Sequence, residues 1–539
     1  VISCGRKSVI PSLYLKNKYK SKIINIHIQD PKVSLNNFDF IVAPEHDRIT
    51  GSNVLTTKGA IHYLTKDELV LSQNYLKSKV DPKKKIVSFI IGGPNKYYSY
   101  NESVIDGIFS RVKKSFIQNN YQAIIIPSMR TPKKIIEMAQ NYFDKNIIDE
   151  LDKDDPRITL IFDRLIYLNK KIKGFNSKIL FFHGNPINIF KELTKKYPIE
   201  KVFFNHDYEP YGVKRDIKIT EFLKSNKIEV KTYKDQVIFE KNQVVKGDGT
   251  PYKVYTPYSK KWIEKYENQG NSYYPSEKLL KNFKLPTTFI NPNLENIGFA
   301  KSKIKIPKNK LSSVLIKEYE ATRNYPYMDN TSRVGVYLRF GLVSIRKLVD
   351  TADKENNKTY LKELIWREFF MQILWHFPHT LTESFKSKYD KIHWRNNKIE
   401  FKKWCNGETG YPIIDAGMRE LNRTGFMHNR VRMITGSFLC KHLLIDWRWG
   451  EAYFAKKLLD YEQSSNIGNW QWVSGCGVDA APYFRIFNPY EQIKKFDKEL
   501  KYIKKWVPEF QDSKKYSSPI VDHKFARERC LIEYKKALQ

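Results

Sequence analysis

The spacing of apolar residues changes once along this chain, and that change sets the order of its architectures. Up to about residue 260 they fall in short runs with turn chemistry at the ends; beyond residue 311 they recur at helical spacing almost throughout. Ile23–Ile28, Phe38–Ala43, Ile86–Ile91 and Ala123–Ile126 read as strands, closed off by Asp30-Pro31, Ala43-Pro44 and Gly92-Gly93-Pro94. Lys178–His183 and Val202–Asn205 read as buried parallel strands separated by a helix over Ile187–Lys196, and Glu221–Asn226 leads into Val230–Tyr233. Strands that alternate with helices predict an α/β part built on a Rossmann-like parallel sheet. Residues 268–310, rich in Asn, Pro, Ser and Lys, predict a linker between domains. Leu361–Phe377, Tyr411–Arg423, Asn429–Leu444 and Glu451–Leu459 predict helices, so the C-terminal part is expected to be all-α.

Composition narrows the class of partner. Lys and Arg outnumber Asp and Glu by 94 to 58, a formal charge of +36, which suits a polyanion such as nucleic acid. Most of the lysines are scattered, however, and scattered lysines ordinarily only solvate a surface. The charge therefore counts only where particular arginines and aromatics support it. The 5 cysteines are far apart and lack CxxC spacing, which predicts a reducing, cytoplasmic setting with neither a disulfide framework nor a bound metal. No apolar run has the length of a membrane span and no signal peptide is visible, so no membrane partner is expected.

Three segments carry chemistry. Glu363, Trp366 and Arg367 stand at i, i+3 and i+4 on one predicted helix, so a carboxylate, a flat ring and a guanidinium share a face. Such a set can hydrogen-bond a base, stack on it and hold a phosphate; the ordinary alternative is a salt bridge beside a half-buried Trp. The segment Met427–Met433 opens another helix, where Asn429 could serve only as a cap and Arg430 and Arg432 only as a solvated edge. Between Trp447 and Trp472 stand four Trp, at 447, 449, 470 and 472, together with Asp460, Glu462 and Asn466. Any one of those rings could be core, but closely spaced Trp can also pass single electrons.

These segments resemble one family. Tyr319, Thr331-Ser332-Arg333-Val334-Gly335, ELIWREFF from 363, TGYPIIDAGMREL from 409, TGFMHNRVRM from 424 and NWQWVSGCGVDAAPYFRIFNP from 469 are collinear with the FAD domain of class I photolyases. FDKNII from 143, DPRITLIFDRL from 155, HGNP from 183, NHDYEP from 205 and VYTPYSKKW from 254 resemble that family's antenna domain.

The resemblance implies domains at 142–267 (antenna, without its first strands) and 311–539 (FAD-binding), and an enzyme that repairs cyclobutane pyrimidine dimers in DNA by light-driven electron transfer from reduced FAD. Tyr319 and Thr331, Ser332, Arg333, Val334 and Gly335 would hold the FAD phosphates; Val334-Gly335 replaces the family's usual Leu-Ser and loses a hydroxyl. Trp366, Asn429, Arg432, Asp460, Glu462 and Asn466 would border the cofactor, with Asn466 at the reactive flavin nitrogen, as in repair enzymes. Glu363, Trp366, Asn429, Met433 and Trp472 would contact the lesion, with Arg323, Arg367, Arg430 and Arg485 on the DNA. Trp470, Trp447 and Trp394 match the family's electron-transfer chain. The MHNR segment matches cyclobutane repair better than (6-4) repair, whose enzymes usually carry a His-rich sequence there. A folate or deazaflavin antenna pigment is in question, because Gly212 stands where some folate-binding members have an acid. The implied protein is a bacterial-type monomer, nucleoid-associated when bound to damaged DNA. The alternative within the family is a cryptochrome-like blue-light sensor.

Residues 1–141 fit a different family. SCGRKS from 3, HIQDPK from 27, IVAPEHD from 41, TKGAIHYL from 57, GGPNKYYSY from 92 and SMRTPKK from 128 resemble part of the mitochondrial-fission ELM family, which is similar to GT-B glycosyltransferases. This implies a glycosyltransferase-like or fission-type module fused ahead of a shortened antenna domain. Loss of the antenna domain's opening strands predicts exposed edges and apolar surface.

Overall fold

The computed structural model describes residues 2–4, 8–57, 85–91, 100–115, 121–127, 132, 135, 138–139, 152–175, 177–283, 290–512 and 514–539. The chain divides into two compact units, Val1–Glu150 and Leu151–Gln539.

In the first unit β1 (Ile2–Cys4), β2 (Ile26–Ile28), β3 (Phe40–Pro44) and β4 (Val54–Thr57) form a parallel sheet in sequence order. Val9 of helix α1 (Val9–Tyr19) packs with Phe38, Ile41 and Ala43 in its core. β5 (Lys85–Ile91) pairs in parallel with β6 (Tyr121–Pro127), and helix α2 (Glu102–Ser115) lies between them in sequence. The strand expected at Ile23–Ile28 is shorter, because the chain at Lys20–Lys22 is still a helical turn. The Gly92-Gly93-Pro94 loop and the motifs at 58–64, 92–99, 128–131 and 143–148 lie outside the described residues.

The second unit opens with helices α3 (Pro156–Lys173), α4 (Pro186–Lys196) and α5 (Pro210–Ser225) around the parallel pair β7 (Lys201–Asn205) and β8 (Glu229–Tyr233). Proline at the first turn starts each of the three helices, a position that needs no N–H. Two expectations fail here. Lys178–His183 is not a strand: its backbone bonds side chains instead, Ile179 N to Asn169 Oδ1 and Phe181 N to Asn291 Oδ1. Nor is β7 buried: Phe203 is 59% exposed and stacks on Tyr233, itself 50% exposed. Both follow from one cause. An apolar run becomes a buried central strand only when neighbouring strands supply its ladder and cover its face, and among the described residues β7 pairs with β8 alone.

Beyond helix α6 (Tyr255–Gln269), the described residues between 270 and 312 are irregular apart from two short 3₁₀ turns at Ser276–Asn282 and Glu295–Ile297. Residues 313–539 are helical with no strand among the described residues, as expected. The helices are α7 (Ser313–Thr322), α8 (Gly335–Arg339), α9 (Ile345–Asp353), α10 (Thr359–His376), α11 (Lys398–Asn406) and α12 (Pro412–Thr424). They continue with α13 (Asn429–Ser437), α14 (Trp447–Lys457), α15 (Gln463–Ser474), α16 (Pro489–Phe496), α17 (Lys501–Trp506) and α18 (His523–Leu538). The helix expected over Asn429–Leu444 ends at Ser437 and passes into a π-helical turn, Phe438–His442, and the one expected from Glu451 begins four residues earlier, where Asp446 caps α14.

Two carboxylates, one buried and one partly buried, join the α/β part of this unit to its helices. Glu368 of α10 is fully buried and accepts from Ile238 N, Phe239 N and Trp262 Nε1; burial still pushes its carboxyl up to about 7. Glu209 binds Arg339 through both oxygens and accepts from Gln463 N at 3.1 Å, so the start of α15 is tied to the start of α5.

Candidate functional site

α15 is a partition between two cavities. Ser465, Asn469 and Trp472 recur at i, i+4 and i+7 and line the larger one. Asn466, Trp470 and Val473 form the adjacent stripe and line the smaller one. Asn429, Met433, Ser465 and Asn469 line both, so the two spaces adjoin.

The smaller cavity has an aromatic wall in Trp470 and Phe454, which meet edge to face at 5.0 Å, and a polar side in Asn429, Arg432, Asp460, Glu462 and Asn466. Arg432 holds both oxygens of Asp460, at 2.9 and 3.1 Å, and its Nε donates to Met427 O. Asn466 donates from Nδ2 to Glu451 Oε1 at 2.9 Å and to Glu451 O at 3.2 Å. Its nitrogen is thus engaged, and the amide offers its oxygen to a ligand. Burial pushes the Glu451 carboxyl up, against the hydrogen bonds it receives from Asn466 and Tyr461.

Arg430 and Arg432 do not form a solvated edge, nor is Asn429 the helix cap. His428 caps α13, its Nδ1 accepting from Arg430 N, which leaves the Asn429 side chain free to line both cavities. His428 is buried, its Nε2 has no partner, and burial lowers its imidazole to about 4. Arg333 Nε is likewise buried without a partner, beside an ion pair to Asp329 and with its guanidinium 3.7 Å from the Phe426 ring centre.

No residue of the expected Thr331–Gly335 loop lines either cavity. Arg333 sits in the left-handed region at φ 55, Ser332 Oγ accepts from Tyr360 Oη, and Tyr319 packs edge-on against Tyr360. The Val334 side chain belongs to the core. Gly335 lies against Asp460, which does line the smaller cavity: a Cβ there would stand 3.1 Å from Asp460 Oδ2, so the family's usual serine has little room. A polar wall of Arg432, Asp460 and Asn466 facing a flat aromatic wall fits a flavin.

The larger cavity is lined by Arg323, Glu363, Trp366, Arg367, Asn429, Met433 and Trp472, all expected there, and by Phe370, Ser465 and Asn469, which were not. Arg323 Nη1 binds Glu363 Oε1 at 2.7 Å. Trp366 lies flat on Tyr255, rings 3.7 Å apart and 7° from parallel, so one of its faces is already taken. Arg367 is engaged by Glu462, at 2.7 and 3.0 Å, and by Gln236 O. Arg430 and Arg485 line neither cavity; Arg430 bonds Asn324 and lies over Phe496, and Arg485 is exposed. Trp366 lines this cavity and not the smaller one.

Of the expected electron-transfer residues, Trp470 and Trp447 are buried and Trp394 is half-buried, edge-on to Tyr534 at 6.0 Å. Trp404, fully buried and 6.1 Å from Trp470, was not expected there. At Gly212 any Cβ would fall within 2.1 Å of Asp207 Oδ2, so an acid could not enter without displacing that side chain. The described residues contain no cluster suited to a metal and no helix long and apolar enough to cross a membrane, and Cys405, Cys440, Cys476 and Cys530 are unpaired.

Residues 360–515 match the FAD binding domain of DNA photolyase, residues 143–277 match DNA photolyase, and residues 1–158 match mitochondrial fission ELM1. The chain belongs to the cryptochrome/photolyase family. It is 31% identical to the deoxyribodipyrimidine photo-lyase of Halobacterium salinarum over 424 residues, which are 71% of this chain and 88% of that one. With the Escherichia coli deoxyribodipyrimidine photo-lyase it shares 33% identity over 386 residues, 65% of this chain and 81% of the other. In three dimensions it is similar to a bacterial class III photolyase from Agrobacterium tumefaciens, with a TM-score of 0.64 and 27% identity over 85% of this chain and 98% of that one.

Proposed function

We propose that this chain is a photolyase of class I type that repairs cyclobutane pyrimidine dimers in DNA. The observation that carries the reading is the pair of adjoining cavities separated by one helix, one walled by Arg432, Asp460 and Asn466, the other by Glu363, Trp366, Asn429 and Trp472. When bound, reduced FAD would supply a light-excited electron to the dimer.

The chain's own residues would do the rest. Arg432 and Asp460, braced by each other, would orient the cofactor, and Asn466, held by Glu451, would present its amide oxygen to a flavin N–H. A dimer stacks poorly, so extruding it from the duplex costs less than extruding a sound pair. The open face of Trp366 and the edge of Trp472 would receive it, while Glu363 and Asn429 hydrogen-bond its polar edges. Trp470, Trp447 and Trp394 would refill an oxidised cofactor with electrons. His428 caps a helix and lines neither cavity, which favours cyclobutane over (6-4) repair. For residues 1–141 we propose only an ELM-like α/β module, and we place domain boundaries at 141, 267 and 310. The loss of an acid at Gly212 argues against folate as the antenna pigment.

The test is blue light on a duplex carrying one thymine dimer. Reduced, FAD-loaded protein should remove the dimer in light and not in darkness, and Glu363→Gln should do so more slowly. Flavin photoreduction without repair would instead support the light-sensor reading.

A further inference from the structure

Among the described residues Glu363 is the one carboxylate lining the larger cavity, and in the free protein it is held by Arg323 at 2.7 Å. The other guanidiniums nearby have no carboxylate to spare. Arg367 is matched by Glu462, while Arg430 has only the neutral Asn324 and the Met433 sulfur as partners, and its Nε is buried with none. Arg323 and Arg485 both repel Arg430, lowering its pKa together with burial. Arg323, which lines the cavity, and Arg430 and Arg485 just outside it thus stand near one another with Glu363 as the carboxylate that Arg323 holds, a local surplus of positive charge that suits an anion. The Arg323–Glu363 pair is partly solvated, at 23% and 33% exposure, so an ion pair of this kind is weak and exchangeable.

We propose that Arg323 is a specificity-determining latch on Glu363: a phosphodiester seated at Arg323 and Arg430 displaces the carboxylate, and only then is Glu363 free to hydrogen-bond the flipped bases. This rests on the photolyase reading. A phosphate oxygen replaces a carboxylate oxygen on the same guanidinium, so the exchange conserves charge pairing. The freed carboxylate then finds a new donor in the imide N–H of the pyrimidines. The latch makes productive use of Glu363 conditional on a phosphodiester, and so distinguishes dimers within a nucleic-acid chain from dimers lacking that charge.

The experiment uses the full-length, FAD-loaded, reduced protein and duplexes in which each phosphate around one thymine dimer is replaced in turn by an uncharged methylphosphonate. Dimers split per absorbed photon are measured with every duplex saturated by protein, so that affinity drops out. For at least one phosphate the wild type should lose threefold or more in yield, while Arg323→Gln and Glu363→Gln, each lacking one half of the latch, should respond equally to both linkages. A wild-type yield that is unchanged at every methylphosphonate position overturns the latch, as does a drop of the same size in both variants. If the wild type fails to split even the native-linkage dimer in light, the repair reading itself falls and the latch with it.

Discussion

Gly450 of α14 packs tightly against Trp470, a wall of the smaller cavity, and this contact allows a worked prediction. A Cβ at 450 would lie 2.1 Å from Trp470 Cη2, 2.4 Å from Cζ3 and 2.6 Å from Leu439 Cδ2. A carbon–carbon contact needs about 3.5 Å, so in Gly450→Ala the indole must retreat by about 1.4 Å. Overpacking of this kind costs about 1–3 kcal/mol, and the better helix propensity of alanine returns about 1 kcal/mol. The expected net loss is about 0–2 kcal/mol, a fall in Tm of a few degrees at most for a unit of this size. The larger effect is local, because Trp470 walls the smaller cavity. Pushed toward it, the ring should lower FAD retention, read as the flavin-to-protein absorbance ratio after dialysis. Cη2 and Cζ3 belong to the outer ring that phenylalanine lacks, so Gly450→Ala with Trp470→Phe should recover part of both losses. If Gly450→Ala alone retains wild-type FAD and Tm, or if the double variant loses the sum of the two single effects, the packing argument is wrong.

Three further outcomes follow from the geometry. Arg367→Ala leaves the 6%-exposed Glu462 carboxylate without its cation and should cost about 3–5 kcal/mol in denaturant unfolding, whereas a change below about 1 kcal/mol would mean that the pair is not buried in solution. His428 stays neutral in the folded protein down to about pH 4, while the unfolded chain protonates it near 6.5. The unfolded state therefore binds more protons in that window, and about 3 kcal/mol of stability present above pH 6.5 should be lost as the pH falls to about 4. His428→Asn keeps a cap acceptor, cannot protonate, and should flatten that part of the pH–stability curve by about one proton. Trp447 Nε1 has no acceptor, so Trp447→Phe forfeits no hydrogen bond; melting should shift only slightly, while light-driven flavin reduction slows at least tenfold in transient absorption.

How far the chain could be read before its structure depended on whether the signal was local. Helix α10 was legible from its period to within two residues at each end, and so was the common face of Glu363, Trp366 and Arg367. What engages that face was not legible. Arg323 and Glu462 arrive from 40 and 95 residues away, and Tyr255, which closes one side of Trp366, comes from another helix altogether. Ser465 and Asn469 could have been found, since they precede Trp472 at helical intervals, but small polar residues carry no chemical signature of their own. Lys178–His183 failed in the opposite way. Its composition was that of a strand, but a strand is completed by its neighbours, and here Asn169 and Asn291 take up the backbone groups that a ladder would have used.

The shared wall of Asn429, Met433, Ser465 and Asn469 has a thermodynamic consequence. Two ligands that touch the same four side chains cannot bind independently: whatever ordering of that wall the first has brought about, the second is spared. By reciprocity, the factor by which a cofactor in one space tightens the hold on a nucleic acid in the other is the factor by which the nucleic acid tightens the hold on the cofactor. Damaged DNA should therefore slow the escape of flavin in complete darkness, before any photon is absorbed.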